Sequence, residues 1–190
     1  MISSKNKLEL DTQAKVFKAQ KLPTQDRKIV YTAVEYDASD SMVLGSSDGQ
    51  IFFKGGSAAQ KAHEGAVFII RLINKELYSG GKDGLILKWT AAGSKTIVFD
   101  INKVYPDHHG ITAFDFSGKS GNLLVGCKGA AVIEQKGKNT PQIINQGHFQ
   151  DPSLKTYKEV WGCSAHPKDD STFVTAGGDA YVRMWNYGKK

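Results

Sequence analysis

Short apolar runs alternate with glycine-rich turns along most of the chain. The clearest region predicts four successive strands, at residues 66–73 (AVFIIRLI), 76–81 (ELYSGG), 85–89 (LILKW) and 95–101 (KTIVFDI). The dipeptides Asp48-Gly49 and Asp83-Gly84 predict hairpins with type I′ turns, whose two central residues both need positive φ. The runs are apolar on both faces, which is typical of sheets packed between other sheets. Because no segment keeps a helical periodicity, the pattern predicts an all-β fold.

An internal repeat organises these strands. Residues 79–89 (SGGKDGLILKW) align with residues 175–185 (TAGGDAYVRMW), and both place a Ser or Thr four residues before an Asp and a Trp six residues after it. Residues 44–54 keep the Asp and the strand but have Lys54 in place of the Trp, whereas residues 125–135 keep only the glycines and the strand. The spacings of 35, 46 and 50 residues are close to those of four-stranded propeller blades. We therefore predict about four WD40-type β-propeller blades in an incomplete ring.

A His lies upstream of three repeats, and two repeats hold a complete set of His, Ser or Thr, Asp and Trp. The sets are His63, Ser79, Asp83 and Trp89 in one repeat, and His148, Thr175, Asp179 and Trp185 in the other. A turn Asp can accept backbone and imidazole N–H groups, and a buried Trp N–H needs an acceptor. Because the set recurs from blade to blade, we interpret it as structural rather than as catalytic or metal-binding.

Three sequence patterns suggest a catalytic, phosphate-binding or metal-binding site, but the residues around each of them do not support it. Residues 113–120 (AFDFSGKS) end like a P-loop, but the first Gly is missing and a strand follows where a phosphate-binding helix is needed. His108 and His109 are expected to be adjacent strand residues on opposite faces, with no third metal ligand spaced nearby. Cys163 and His166 are three residues apart in a predicted strand, so their side chains point to opposite faces and are not expected to act as a nucleophile and its base. We therefore expect no enzyme, no metal site and no cofactor.

Composition and charge narrow the partners. The 190 residues fit one domain or parts of two, and no apolar run reaches the length of a membrane span, so no membrane partner is expected. The start lacks a signal-peptide core, and the two cysteines fit buried thiols in a reducing compartment, so cytoplasm or cytoskeleton is expected.

Residues 1–28 carry a surplus of four positive charges out of the net +6. The basic residues of this segment are Lys5, Lys7, Lys15, Lys18, Lys21, Arg27 and Lys28. They suit an acidic partner through salt-sensitive attraction, and a solvated surface without a partner is the alternative. Nucleic acid is not expected, because no aromatic-basic constellation accompanies the charge.

Three stretches carry a narrower resemblance. Residues 61–89 (KAHEGAVFIIRLINKELYSGGKDGLILKW) resemble the echinoderm microtubule-associated-protein-like (EMAP-like) family, in which Ala-His-x-Gly-x-Val-Phe precedes a Gly-Gly-Lys-Asp hairpin. Residues 121–148 are similar to the degenerate blade and Gln-Gly-His turn that follow in that family, and residues 159–186 resemble its Glu-Leu-Trp-Gly-x-x-x-His-Pro blade. The order matches from about Phe17 to Asn186.

The resemblance implies a protein that binds tubulin and works with other cytoskeletal or axonemal proteins, on cytoplasmic microtubules or in cilia. It also implies a tandem pair of propellers. Residues 1–28 then form a basic N-terminal segment within a preceding blade, residues 29–140 the last blades of a first propeller, and residues 141–190 a blade that begins a second. The family's hydrophobic motif and coiled coil are not found in this sequence. Residues 149–156 (FQDPSLKT) are an insertion, interpreted as a specific contact or as a tolerated surface loop.

Two classes of function stay open: a scaffold that docks on microtubules, and a general WD40 scaffold in an unrelated complex. An unclosed arc of blades leaves edge strands unpaired. We therefore expect the rest of the ring to come from a longer chain or from a second subunit.

Overall fold

Four antiparallel sheets follow one another along the chain. The computed structural model describes residues 28–53, 59–90, 93–150, 153 and 156–186. The first sheet contains β1 (Tyr31–Tyr36), β2 (Met42–Ser46), β3 (Gln50–Phe53) and β4 (Gln60–Lys61). The second contains β5 (Val67–Ile73), β6 (Glu76–Gly81), β7 (Leu85–Trp89) and β8 (Lys95–Asp100). The third contains β9 (Ile111–Phe116), β10 (Leu123–Cys127), β11 (Val132–Gln135) and β12 (Gln142–Asn145). The fourth contains β13 (Val160–Ala165), β14 (Thr172–Gly177) and β15 (Val182–Asn186).

Each sheet is a meander in which strands adjacent in sequence are hydrogen-bonded neighbours. The four strands predicted over residues 66–101 are confirmed as β5 to β8, with bounds that differ by no more than one residue. Within the described ranges the only helical segment is a short 3₁₀ turn at Pro106–His108. The expected all-β architecture of WD40-type blades is therefore confirmed.

The hairpins after β2 and β6 are present, but the predicted type I′ turn is wrong. Positive φ occurs at Gly49 (87°) and Gly84 (79°), and not at Asp48 or Asp83. In the second sheet the N–H of Gly84 donates to the carbonyl of Gly81 at 3.2 Å, which places the left-handed residue after the turn instead of inside it. This is the three-residue connection of a type I turn and a G1 bulge. It leaves the turn Asp in ordinary backbone conformation, with its carboxylate available to its neighbours.

The sheets pack face to face in chain order around three apolar cores. The first and second sheets enclose a core that includes Val43, Ile51 and Leu87, and the second and third enclose one that includes Ile86 and Phe114. A smaller core lies between the third and fourth sheets. The first strands of consecutive sheets, β1, β5, β9 and β13, lie next to one another. They are therefore the inner strands of the arc, as in a propeller.

Polar contacts also join neighbouring blades along these inner strands. The guanidinium of Arg71 on β5 donates to the carboxylate of Asp115 on β9 at 3.2 Å. The other carboxylate oxygen of Asp115 accepts the hydroxyl hydrogen of Ser164 on β13 at 3.0 Å. The hydroxyl of Thr32 on β1 donates to the carbonyl of Val67 on β5 at 2.5 Å. These bonds join the inner strand of each blade to that of the next.

The two outer faces of the arc are exposed apolar surfaces. Val34 on β1 holds the same register position as Phe114 on β9, yet Val34 is 64% exposed and Phe114 0%. Val182 on β15 holds the position of Ile86 on β7, and the exposed fractions are 74% and 0%. Met184 on β15 is 76% exposed. Side chains that are core between blades are therefore solvent-exposed at both ends of the described arc.

The expected division between residues 140 and 141 falls inside the third sheet. Strand β12 (Gln142–Asn145) pairs with β11, and the fourth sheet begins at Val160. The fourth sheet packs on the third through β9 and β10. Whether two propellers meet in this region stays a prediction.

Candidate functional site

The structure brings together the four predicted side chains of the second blade. His63 Nδ1 lies 2.9 Å from Asp83 Oδ1, and His63 Nε2 lies 2.8 Å from the hydroxyl oxygen of Ser79. The indole Nε1 of Trp89 is 2.9 Å from the same oxygen. Asp83 also accepts the backbone N–H groups of Glu64 and Leu85. The set ties the segment before β5 to β6, the turn and β7.

With His63 neutral, the donors and acceptors of this set allow a single arrangement of protons. The Trp89 indole can only donate, so the oxygen of Ser79 accepts its hydrogen. An ionised Asp83 can only accept, so Nδ1 of His63 carries the proton, and Nε2 accepts the hydroxyl hydrogen of Ser79. Hydrogen bonds then run in one direction, from Trp89 through Ser79 and His63 to Asp83. Every side-chain polar atom of these four residues has a partner.

The pKa of Asp83 is consistent with this arrangement. Burial by itself raises the pKa of the carboxyl, but the hydrogen bond from His63 and those from backbone N–H groups outweigh burial and hold the pKa below its ordinary value. The carboxylate is therefore ionised across the physiological range.

The fourth blade repeats the set with Thr in place of Ser. His148 Nδ1 is 2.8 Å from Asp179, and His148 Nε2 is 2.7 Å from the hydroxyl oxygen of Thr175, which also accepts the indole hydrogen of Trp185 at 2.8 Å. The Arg183 guanidinium donates to the second oxygen of Asp179. Burial alone raises the pKa of Asp179, but the bonds from His148 and Arg183 prevail and lower it to about 2.

The order Asp, His, Ser matches that of a catalytic triad, but the surroundings do not allow turnover. Ser79 and His63 are both 0% exposed, and one lone pair of the Ser79 oxygen already accepts the Trp89 indole hydrogen. A nucleophile needs an approach for its substrate and a free line of attack. The geometry satisfies buried polar groups and leaves no face open to a reactant.

The first and third blades lack the set. In the third, Gly129 lies where the turn Asp is expected, and His108 Nε2 bonds instead to Asn102 at 3.0 Å. The backbone N–H of Gly110 donates to His108 Nδ1 at 2.7 Å, so this imidazole carries its proton on the other nitrogen. In the first blade Asp48 has no His partner and accepts hydrogens from Ser46 and from the Gln50 side chain.

The other residues that suggested chemistry also have structural surroundings. His108 and His109 do not lie in a strand as expected: the first ends the 3₁₀ turn, and the second has a left-handed φ of 51°. Burial raises the pKa of the Cys163 thiol to about 12 and that of Cys127 to about 11, so both are protonated near neutral pH and are poor nucleophiles. Across the part of the chain that the structure describes, no three His, Cys, Asp or Glu side chains converge to hold a metal ion.

A cavity of about 540 Å³ opens where the inner strands begin, and the sequence analysis did not anticipate it. Its lining comes from four neighbouring blades and includes Phe68, Lys82, His109, Lys128 and Glu159. Lys82 and Lys128 each hold the first position of the turn that follows the second strand of a blade. The sequence signal for this site is therefore a Lys just before the turn Asp, or before the residue equivalent to it, in two successive repeats.

Most of the basic residues predicted to contact tubulin lie outside the described ranges, and so does much of the insertion. The basic residues outside the described ranges are Lys5, Lys7, Lys15, Lys18, Lys21 and Arg27, whereas Lys28 is described and exposed. In the insertion, Phe149 forms an isolated antiparallel bridge with Tyr157. None of the described helices is long and apolar enough to cross a membrane.

Comparison with known proteins agrees with the architecture. Residues 145–186 match the family described as WD domain, G-beta repeat. The ciliary WD repeat-containing protein ctxp80 of Euplotoides octocarinatus is 25% identical over 161 residues, which cover 82% of this chain and 20% of that protein. The chain therefore spans about a fifth of that relative's length.

Solved structures show the same fold at low identity. The β-propeller domain of Myceliophteria thermophila Cps50 (Swd1) superposes with a TM-score of 0.60 at 15% identity, covering 84% of this chain and 51% of that one. The computationally designed Ika4 protein superposes with a TM-score of 0.54 at 19% identity, covering 89% of this chain and 99% of that one. The chain is thus an arc of WD40-type propeller blades. Such blades generally form non-catalytic scaffolds for protein interaction.

Proposed function

We propose that this chain is part of a microtubule-associated WD-repeat scaffold that docks on tubulin in cytoskeletal or ciliary assemblies. The observation that carries the proposal is that motifs resembling those of the EMAP-like family occur in the same order across nearly the whole chain. The blade in which the repeat pattern is degenerate is also the same as in that family. Two findings support it. A WD-repeat protein named as ciliary is similar over 82% of the chain, and the net charge of +6 favours an acidic partner.

Co-sedimentation with assembled microtubules tests this function. We expect the chain to pellet with microtubules at low salt and to release as salt rises, because attraction between exposed charges is screened. Microtubules whose acidic tails have been removed by protease are the matched control and should bind less. Failure to pellet at low salt contradicts the tubulin partner and leaves the general scaffold.

We also propose that the two hydrogen-bonded sets are structural fasteners of their blades. Each joins the segment that enters a blade to its second and third strands, and the side chains of His63, Ser79, His148 and Thr175 are at most 1% exposed. Buried polar groups stabilise a fold only when all of them are paired, which is the case in both sets.

The exposed outer faces support a further part of the proposal, that more blades complete the ring. Val34 and Val182 are exposed at positions that are core inside the arc, so a blade from a longer chain or from a second subunit would bury them. Light scattering on the 190-residue chain tests this. We expect self-association that a charge at Val182 (V182E) reduces; a soluble monomer with cooperative melting contradicts it.

A further inference from the structure

One backbone contact recurs in all four blades and places the first turn residue at the mouth of the arc. The N–H of Lys82 donates to the carbonyl of Ala66 at 2.9 Å, and the N–H of Lys128 donates to that of Gly110 at 3.0 Å. The first blade makes the equivalent bond from Ser47, and the fourth from Gly178. Because this bond anchors the turn beside the start of the inner strand, Ser47, Lys82 and Lys128 border the cavity between the blades.

The cavity combines two lysines with an aromatic floor. The ammonium of Lys128 lies 5.2 Å from the ring centroid of Phe68 and 5.6 Å from that of Trp161. The Phe68 ring occupies this place because Gly110, at φ 108°, has no side chain; a Cβ there would lie 2.5 Å from the ring. Trp161 is half exposed. The cation–π contacts hold the ammonium in place but leave its N–H donors for another group.

Neither lysine forms an ion pair with any residue that the structure describes. Among the residues that the structure describes, Glu159 is the one acidic side chain that lines the cavity. A carboxylate of a bound peptide can be placed between Lys82 and Lys128, with its chain over the aromatic rings, and Glu159 can accept an N–H of that chain. A doubly charged phosphate fits less well, since Glu159 repels the larger charge.

We propose that this cavity binds an extended acidic peptide by a carboxylate, from a side chain or a C-terminus, between Lys82 and Lys128. The site goes beyond the proposed function, because the peptide can belong to any protein partner of the scaffold. Its specificity comes from the two lysines being at equivalent positions of adjacent blades. The aromatic rings position the Lys128 ammonium, and the Lys82 stem lies against Gly65, where an added Cβ would be 3.0 Å from Lys82 Cδ.

Fluorescence anisotropy with a labelled hexaglutamate peptide tests the site. We expect the wild-type chain to bind and K82Q/K128Q to bind at least tenfold more weakly, while K82R/K128R retains binding. The matched control is K119Q/K138Q, which removes the same charge from two exposed lysines away from the cavity, and it should change the Kd less than twofold. Equal losses in both double variants overturn the proposal, as does tighter binding of a phosphoserine peptide of the same length.

Intrinsic fluorescence provides a second measurement that needs no lysine variant. Hexaglutamate should change the emission of the half-exposed Trp161. W161F should abolish the response, because the other two tryptophans, Trp89 and Trp185, do not line the cavity. No change in emission overturns the site. Co-sedimentation separates the two proposals: a chain that binds the peptide but does not pellet with microtubules refutes tubulin and supports the cavity. Pelleting that K82Q/K128Q leaves intact, without peptide binding, refutes the cavity alone.

Discussion

Removal of one hydroxyl, in Ser79→Ala, should destabilise the second blade far more than its size suggests. The Ser79 oxygen accepts the indole hydrogen of Trp89 at 2.9 Å, and its hydrogen goes to His63 at 2.8 Å. Alanine fits the space but leaves both partners unpaired. His63 is 0% exposed and Trp89 4% exposed, so water cannot replace the hydroxyl.

The magnitude follows from the number of orphaned groups. An unsatisfied buried donor or acceptor costs about 1–3 kcal/mol, so two of them lower the free energy of unfolding by about 2–6 kcal/mol. The lower half of this range is expected if the imidazole shifts slightly. A control hydroxyl, in Ser164→Ala, is exposed and donates only to Asp115. Its loss should cost about 0.5 kcal/mol or less.

Urea unfolding followed by circular dichroism measures these differences, with the slope against urea checked for constancy. The double variant S79A/W89F sharpens the test, because Phe removes the donor that Ser79→Ala leaves unpaired. The two losses should therefore be less than additive by about 1 kcal/mol. A Ser79→Ala change within about 0.5 kcal/mol of wild type, or strict additivity with Trp89→Phe, refutes the reasoning.

Three further predictions concern acid stability, turn geometry and thiol reactivity. The folded-state pKa of Asp179 is lowered to about 2. The stabilisation by this carboxylate is therefore complete above the unfolded-state pKa of about 4 and is lost as pH falls through about 2. The difference in unfolding free energy between wild type and Asp179→Asn should shrink as pH falls over this window, and a constant difference contradicts the prediction. Ala180 has a left-handed φ of 66°, so Ala180→Gly should raise the thermal midpoint, with a gain of up to about 1 kcal/mol after the entropy of glycine is subtracted. Gly84→Ala should lower the midpoint, because its Cβ would lie 2.5 Å from Ile101 Cγ2; the same sign for both variants argues against the turn assignment. Cys127, which is 0% exposed and whose pKa is raised to about 11 by burial, should react with iodoacetamide only on unfolding, and rapid labelling of Cys127 in the native chain, detected by mass spectrometry, would show the opposite.

Several features of the fold follow from local patterns. The strands β5 to β8 coincide with apolar runs because short turns of typical turn residues separate them. Asp83-Gly84 lies between β6 and β7, and Asn74-Lys75, with positive φ at both residues, lies between β5 and β6. The two complete sets were also predictable, since His, Ser or Thr, Asp and Trp recur at fixed spacing in residues 79–89 and 175–185. Sequence spacing holds these side chains near each other because the strands that carry them are hairpin neighbours.

Other features depend on contacts between sheets. His108 follows the repeat pattern, yet it bonds to Asn102 because its own blade has Gly129 in place of the turn Asp. The type of turn at Asp83 was predicted wrongly, since the Asp-Gly dipeptide is compatible with two hairpin connections. Asp83 accepts hydrogen bonds from His63 and from backbone N–H groups, and these bonds favour the connection with the G1 bulge.

The chain by itself determined the class of fold, the number of repeats and the side chains that form the hydrogen-bonded sets of the second and fourth blades, because these depend on residues close in sequence. Only the tertiary structure decided which surfaces are left for partners. Lys82 and Lys128 are 46 residues apart and carry no motif, and they meet only because adjacent blades place equivalent turns around one cavity. Likewise Val182 resembles any core valine in sequence, and its exposure is decided by the absence of a packed sheet beside it within the described residues.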